Sequence, residues 1–129
     1  ARFLAQVGTV SAMIDLSDGM SSDLGHICSN SGLGALLFSP SLPISAETAE
    51  VAEALRETPL DYALNGGEDF ELCFTAREGT MDPWVDRFHE AFRLPLTRVG
   101  RIVRGKGITL IDSQGSSKEI QPGGFAHVR

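Results

Sequence analysis

The fold is constrained most by a nearly apolar run that passes through an acidic turn directly into an amphipathic helix. Residues 10–16 (Val-Ser-Ala-Met-Ile-Asp-Leu) predict a buried β-strand, because a short apolar run bounded by turn residues suits a strand covered by the rest of the chain. Asp18 and Gly19 then open a predicted helix that runs to about Asn30. Its core face is predicted to hold Met20, Leu24, Ile27 and Cys28, and its outer face Ser21, Ser22, His26 and Ser29.

Strands and helices continue to alternate along the rest of the chain. We predict strands over residues 35–38, 70–75, 97–103, 107–111 and 118–120. We predict helices over residues 46–56 and from residue 82 onward, with a short helical turn at residues 59–65. The strand at 70–75 should place Phe70, Leu72 and Phe74 on one face. The helix after residue 82 should carry an apolar stripe of Trp84, Phe88 and Phe92, and Trp84 is expected in the core, with a binding platform as the alternative. With a closing hairpin, this order predicts an α/β (α+β) layered sandwich whose helices pack on a mixed β-sheet.

Length, charge and cysteine content narrow the classes of protein. A chain of 129 residues suits one domain, 1–129, with a substantial core. Its net charge of −6 argues against a nucleic-acid surface, which needs clustered Lys and Arg. Because no apolar run approaches the roughly 20 residues of a membrane helix, and no secretory signal opens the chain, we expect a cytoplasmic protein. Cys28 and Cys73 lie in apolar patterns and are expected to be buried thiols, with a disulfide as the alternative.

The first candidate site is the acidic turn itself, residues 15–19 (Asp-Leu-Ser-Asp-Gly). Asp15 and Asp18 would repel each other unless a cation lay between them, and Mg²⁺ typically takes one or two carboxylates together with water and phosphate oxygens. The N–H groups at the start of the helix favour an anion, and Ser17 could donate a hydrogen bond to it. The alternative is structural: Asp18 or Ser17 only caps the helix.

Two further segments carry residues suited to binding. Residues 65–69 (Asn-Gly-Gly-Glu-Asp) precede a strand, and their glycines permit close approach of a ligand. Glu68 and Asp69 could then accept hydrogen bonds from a cationic or amino group of that ligand. Phe125 follows two glycines near the end of the chain and either stacks on a ring of a ligand or fills the core. The alternative for Glu68 and Asp69 is a turn with solvated acids. No phosphate-binding glycine loop or dinucleotide fingerprint is present in the sequence.

Together, the motifs resemble those of thiamine-phosphate kinases (thiamine-monophosphate kinases). The resemblance is carried by residues 12–27, which contain Asp-Leu-Ser-Asp-Gly, by residues 63–75, which contain Asn-Gly-Gly-Glu-Asp-Phe-Glu-Leu, and by residues 97–102 and 124–127. It implies the fold of the C-terminal domain of aminoimidazole ribonucleotide synthase, which selenophosphate synthetase and a hydrogenase maturation factor share. It also implies that this chain is the C-terminal half of a two-domain enzyme, that an N-terminal ATP- and metal-binding domain lies outside it, and that the whole enzyme is a homodimer.

The resemblance implies a reaction and a role for each motif. Members transfer the γ-phosphoryl of ATP to thiamine phosphate with Mg²⁺, giving thiamine diphosphate. Asp15 and Asp18 would bind Mg²⁺, Ser17 would contact ATP, Glu68 would contact thiamine phosphate, and Phe125 would pack against one of its rings. No residue of this half is expected to act as a catalytic acid, base or nucleophile, because positioning and metal ions supply most of the catalysis of phosphoryl transfer.

Two alternatives stay open from the sequence. One is an enzyme of the same fold that phosphorylates another acceptor, against which the Gly-Gly-Glu-Asp-Phe-Glu-Leu run argues. The other is a non-catalytic ligand-binding or dimerisation domain in which the acidic motifs are remnants. Because most of the expected metal ligands lie in the other domain, we expect residues 1–129 alone to bind Mg-ATP weakly and to turn over nothing.

Overall fold

The computed structural model describes residues 1–121 and 123, and every structural statement below concerns these residues. The helices are α1 (Arg2–Val7), α2 (Met20–Ser31), α3 (Ala46–Leu55), α4 (Pro59–Asn65) and α5 (Asp82–Phe92). The strands are β1 (Val10–Asp15), β2 (Gly34–Phe38), β3 (Leu72–Ala76), β4 (Gly100–Val103), β5 (Ile108–Ile111) and β6 (Ser117–Ile120). The predicted order of elements is confirmed, except that α1 was not predicted, since six residues are too few to show a helical period. Phe125 lies outside the described residues.

The strands form two sheets, and the larger one is mixed as predicted. Its order is β4-β2-β5-β6, with β2 antiparallel to β4 and parallel to β5. The predicted closing hairpin is confirmed by the antiparallel pairing of β5 with β6. A turn joins β4 to β5, but these two strands do not pair with each other, because β2 lies between them. In the smaller sheet β1 pairs antiparallel with β3.

Helix α2 packs one face into the core that the two sheets share. Met20, Leu24, Ile27 and Cys28 are buried as predicted. They meet buried residues from both sheets and their connections, among them Leu16, Ala35, Leu37, Leu42, Leu64, Cys73 and Ile108. One prediction for this helix is wrong: Ser21, expected on the outer face, is only 1% exposed. Hydrogen bonds that are described with the site account for its burial.

The predicted start of β3 is also wrong. Phe70 has a left-handed backbone with φ of 55° and a side chain that is 92% exposed, so the strand begins only at Leu72. Of the two faces of this strand, the one that carries Cys73 is covered, as expected for a buried thiol, whereas Leu72 on the other face is 40% exposed. Alternation shows that two faces exist but not which one is covered, and the turn before β3 decides this.

The aromatic stripe of α5 packs on α1 instead of the main core. The ring of Phe3 meets those of Trp84, Phe88 and Phe92 edge to face, with centroids 5.9, 5.5 and 5.6 Å apart. No residue of α5 is fully buried, so the prediction that Trp84 lies in the core is wrong. Edge-to-face contacts between aromatic rings are favourable beyond the area they bury. They therefore fix α5 against the start of the chain, away from the candidate site.

Both cysteines are buried free thiols, as expected, and their environment makes them inert. Desolvation, with smaller contributions from Asp23 and Cys28, raises the pKa of Cys73 to about 11. Since only about 0.1% of such a thiol is ionised at pH 8, iodoacetamide should label Cys73 in urea and leave it unlabelled in the folded protein. Peptide mass spectrometry of both samples measures this. Rapid labelling of Cys73 in the folded protein would contradict its burial on the covered face of β3.

Candidate active site

The acidic turn after β1 and the segment before β3 lie side by side. Because β1 and β3 are antiparallel, the end of one faces the beginning of the other, and Asp15 is paired with Leu72. Beyond the strands the backbone contact continues: the N–H of Glu68 donates to the carbonyl of Ser17 at 3.0 Å, and that of Leu16 to the carbonyl of Glu71 at 3.0 Å. The fold therefore joins residues 15–19 and 65–69, which are about fifty positions apart in sequence.

Two glycines permit this contact. A Cβ added to Gly67 would lie 2.5 Å from the carbonyl oxygen of Ser17, and one added to Gly19 would lie 2.7 Å from that of Gly66. Gly19 also has φ of 105°, a conformation that side chains of L-residues rarely adopt. The sequence suggested that glycine at 66 and 67 would let a ligand approach. In the structure the group that approaches Gly67 is the backbone of the acidic turn.

Within the acidic turn, Asp15 and Ser17 form a hydrogen-bonded pair on the surface. The Ser17 hydroxyl donates to Asp15 Oδ2 at 2.6 Å, and this bond, with a further backbone bond, lowers the pKa of Asp15. Asp15 and Ser17 are exposed and Asp18 is half-buried. The end of β1 thus presents an ionised carboxylate and a hydroxyl to solvent.

Asp23 organises the turn and was not predicted as a site residue. Its side chain is 3% exposed, and a single oxygen, Oδ2, accepts hydrogen bonds from the backbone N–H groups of Ser17, Asp18 and Gly19 at 2.9, 3.0 and 3.1 Å. A buried carboxylate of the chain thus takes the three N–H groups of the turn before α2, whereas the expectation of an anion at the first N–H groups of the helix itself stays a prediction. The N-cap of α2 is Gly19, and not Asp18 or Ser17 as the structural alternative expected. The sequence signal that could have identified Asp23 was its position as an acid in the first turn of α2.

Ser21 connects the site to the end of the described chain. Its hydroxyl donates to Asn65 Oδ1 at 2.9 Å and accepts from the backbone N–H of Gly123 at 3.2 Å. Buried hydroxyls are normally hydrogen-bonded, which accounts for Ser21 on the inner face of α2. All three segments singled out in the sequence thus meet at the start of α2, the third through Gly123. Phe125 itself falls beyond the described residues.

The acids of the second segment differ in their surroundings. Glu68 is exposed and has φ of 61°, so two non-glycine residues, Glu68 and Phe70, hold left-handed conformations on either side of Asp69. Such conformations cost about 1–2 kcal/mol each and persist where the surrounding structure enforces them. Desolvation and the negative charge of Asp23 raise the pKa of Asp69. Of the two acids, Asp69 is therefore the one that is neutralised more readily than usual.

The described residues offer part of a metal site. No group of three or more His, Cys, Asp or Glu side chains that could hold a metal occurs in residues 1–121 and 123. Asp15 and Asp18 remain as oxygen donors on one turn. One or two carboxylates are the usual protein contribution to Mg²⁺ bound with phosphates, so this pair fits a shared ion rather than a closed site.

In the same residues, no helix is long and apolar enough to cross a membrane.

A cleft of about 320 Å³ lies at the opposite end of α2, away from these motifs. It is lined mainly by apolar atoms between the C-terminal turn of α2 and strands β5 and β6, with Lys106 and Glu119 among its residues. None of the sequence-predicted site residues lines it. At the other end of α2, the acidic turn carries the exposed side chains of Asp15 and Ser17.

Comparison with known proteins identifies relatives along nearly the whole chain. No family model matches. The chain is 36% identical to the thiamine-monophosphate kinase of Rhodopirellula baltica over 126 residues, which is 96% of this chain and 38% of that protein. It matches the solved structure of AaThiL complexed with AMPPCP and TMP with a TM-score of 0.76 and 30% identity, over 98% of this chain and 37% of that one.

The fold is shared more widely than the sequence. E. coli HypE, a hydrogenase maturation protein, matches with a TM-score of 0.75 at 20% identity, over 99% of this chain and 39% of that one. The predicted layered α/β fold with a mixed sheet, like the C-terminal domain of aminoimidazole ribonucleotide synthase, is confirmed. The chain spans about a third of the length of its first curated relatives, 33% and 38%. Over that segment it belongs to the thiamine-monophosphate kinase family.

Proposed function

We propose that this chain is the C-terminal domain, 1–129, of a cytoplasmic kinase that transfers the γ-phosphoryl of ATP to thiamine phosphate. The N-terminal domain that completes the site lies outside this chain and carries the homodimer contact. The observation that carries the proposal is the backbone contact between residues 15–19 and 65–69, because it unites a candidate metal turn with a candidate acceptor segment. Family membership and the AaThiL complex with AMPPCP and TMP support the choice of reactants.

On the nucleotide side, Asp15 and Asp18 would hold Mg²⁺ and Ser17 would contact ATP. The ion supplies charge neutralisation of the phosphates during transfer. Asp15 suits this role because it is exposed and its lowered pKa keeps it ionised at neutral pH. The Ser17 hydroxyl, which donates to Asp15, would contact ATP beside the ion that this carboxylate would hold.

On the acceptor side, Glu68 and Phe125 would contact thiamine phosphate. The thiazolium ring of thiamine is cationic, and a carboxylate and an aromatic face are the groups that attract such a ring. Between the two acids of this segment, Glu68, which is exposed, is the one that the family resemblance implies as the countercharge. Gly123, two residues before Phe125 in sequence, donates its backbone N–H to the Ser21 hydroxyl at the start of α2.

The proposal predicts an acceptor-specific reaction by the full-length protein. With ATP and Mg²⁺ it should convert thiamine phosphate to thiamine diphosphate, and residues 1–129 alone, shown to be folded by circular dichroism, should form none. Product is measured by chromatography with thiamine phosphate, selenide and free thiamine offered separately. Phosphorylation of another acceptor would support an enzyme of the same fold with different chemistry. Binding of thiamine phosphate without turnover would support a non-catalytic domain. Turnover by residues 1–129 alone would contradict the proposal that another domain completes the site.

A further inference from the structure

We infer that Asp23 is a positioning residue whose buried carboxylate makes the acidic turn recruit nucleotide only through a metal ion. The metal part of this inference rests on the proposed function. The positioning part rests on geometry alone: one oxygen of Asp23 accepts from three consecutive backbone N–H groups.

Three consecutive N–H groups that converge on one point form an anion-binding concavity, and loops before helices commonly bind phosphate in this way. In this chain the concavity is filled from within, because Asp23 lies in the first turn of α2 and is 3% exposed. A phosphate oxygen would have to displace a covalently attached carboxylate to reach Ser17, Asp18 or Gly19. The turn therefore has no N–H groups at residues 17–19 to offer a nucleotide directly.

The charge of Asp23 acts in the same direction. Asp15, Asp18 and Asp23 place three acidic side chains within nine residues, and within residues 1–121 and 123 no basic side chain forms an ion pair with Asp15 or Asp23. Their combined field repels the phosphates of a free nucleotide and attracts a divalent cation. Because its bonds also fix the backbone between Asp15 and Asp18, Asp23 sets the relation of the two carboxylates that would share the ion.

Two substitutions in the full-length protein separate shape from charge. Asp23→Asn keeps an oxygen that can accept N–H groups but removes the charge, whereas Asp23→Leu keeps the approximate volume and removes both. Asp61→Asn is the matched control, because Asp61 is also an acid in the first turn of a helix, α4, and is exposed. Circular dichroism and the thermal midpoint establish that each variant folds.

The first readout needs no metal. Hydrogen exchange, followed by mass spectrometry, should show exchange at residues 17–19 about tenfold or more faster in Asp23→Leu, with a smaller rise in Asp23→Asn and none in Asp61→Asn. Unchanged exchange in a folded Asp23→Leu would overturn the positioning role. If Asp23→Leu does not fold, Asp23→Asn alone carries the comparison with Asp61→Asn.

The second readout is a ratio of two affinities for AMPPCP. The affinity measured with Mn²⁺ is divided by the affinity measured in excess chelator. This ratio should fall by about tenfold in Asp23→Asn, because loss of a buried negative charge weakens the pull on the ion and relieves repulsion of the free nucleotide. Asp61→Asn should leave it unchanged. An unchanged ratio in Asp23→Asn would overturn the metal part. Failure of the unsubstituted protein to bind Mn²⁺ and AMPPCP would instead refute the proposed function and leave the exchange result standing.

Discussion

Asp15→Asn in the full-length protein should lower the turnover of thiamine phosphate by about a hundredfold or more while the protein stays folded. The carboxylate of Asp15 is exposed at the end of β1, and its pKa is lowered by the Ser17 hydroxyl, so the charge is present at neutral pH and available to a cation. Asparagine keeps the size and one oxygen but removes the charge. Exposure limits the loss of stability to about 1 kcal/mol or less.

The control for this substitution is Asp86→Asn, which removes one exposed acid from α5, outside the three site segments. Initial rates over a range of Mg²⁺ concentrations distinguish metal binding from other roles. If Asp15 holds the ion, the Mg²⁺ concentration needed for half-maximal rate should rise in Asp15→Asn and stay constant in Asp86→Asn. Unimpaired turnover in Asp15→Asn would remove Asp15 from the metal site and leave the family assignment intact.

The sequence predicted the framework of the site well because its signals are local. An apolar strand, an acidic turn and a helix of regular period lie within residues 10–30, and α2 buries Met20, Leu24, Ile27 and Cys28 as its period requires. The closing hairpin of β5 and β6 is likewise local. Where two elements that pack or pair with each other are neighbours in sequence, the periodicity of their residues is sufficient to predict both elements.

The polar groups that organise the site could not be predicted in this way. Ser21 was placed on the outer face because it is polar, yet it is buried by partners 44 and 102 positions away. Asp23 looks like an ordinary acid near a helix start, and its role depends on how the turn before the helix folds back over it. Similarly, nothing in the alternation of residues 70–75 reveals the left-handed backbone of Phe70 that displaces the start of β3.

The contact between the acidic turn and the acceptor segment yields the second large expected effect, through three glycines. Gly67→Ala introduces a Cβ 2.5 Å from a backbone oxygen. Gly105→Ala introduces a left-handed side chain, at φ of 122°, with nothing within 4 Å. Gly19→Ala does both, at φ of 105° and 2.7 Å from the carbonyl oxygen of Gly66. The set therefore separates backbone strain from the close approach of the two segments.

Gly19→Ala should lower the free energy of unfolding by about 2–5 kcal/mol, because about 1–2 kcal/mol of backbone strain adds to about 1–3 kcal/mol of overlap. Gly105→Ala should lose only the stability that backbone strain costs, and it should keep its activity. Gly67→Ala should lose the stability that the overlap costs. Both Gly67→Ala and Gly19→Ala should lose most of their turnover. Urea unfolding and initial rates measure the two effects. Equal losses of stability in Gly19→Ala and Gly105→Ala would show that the segments do not touch there. A destabilised Gly67→Ala with full turnover would show that their contact supports the fold and not the reaction.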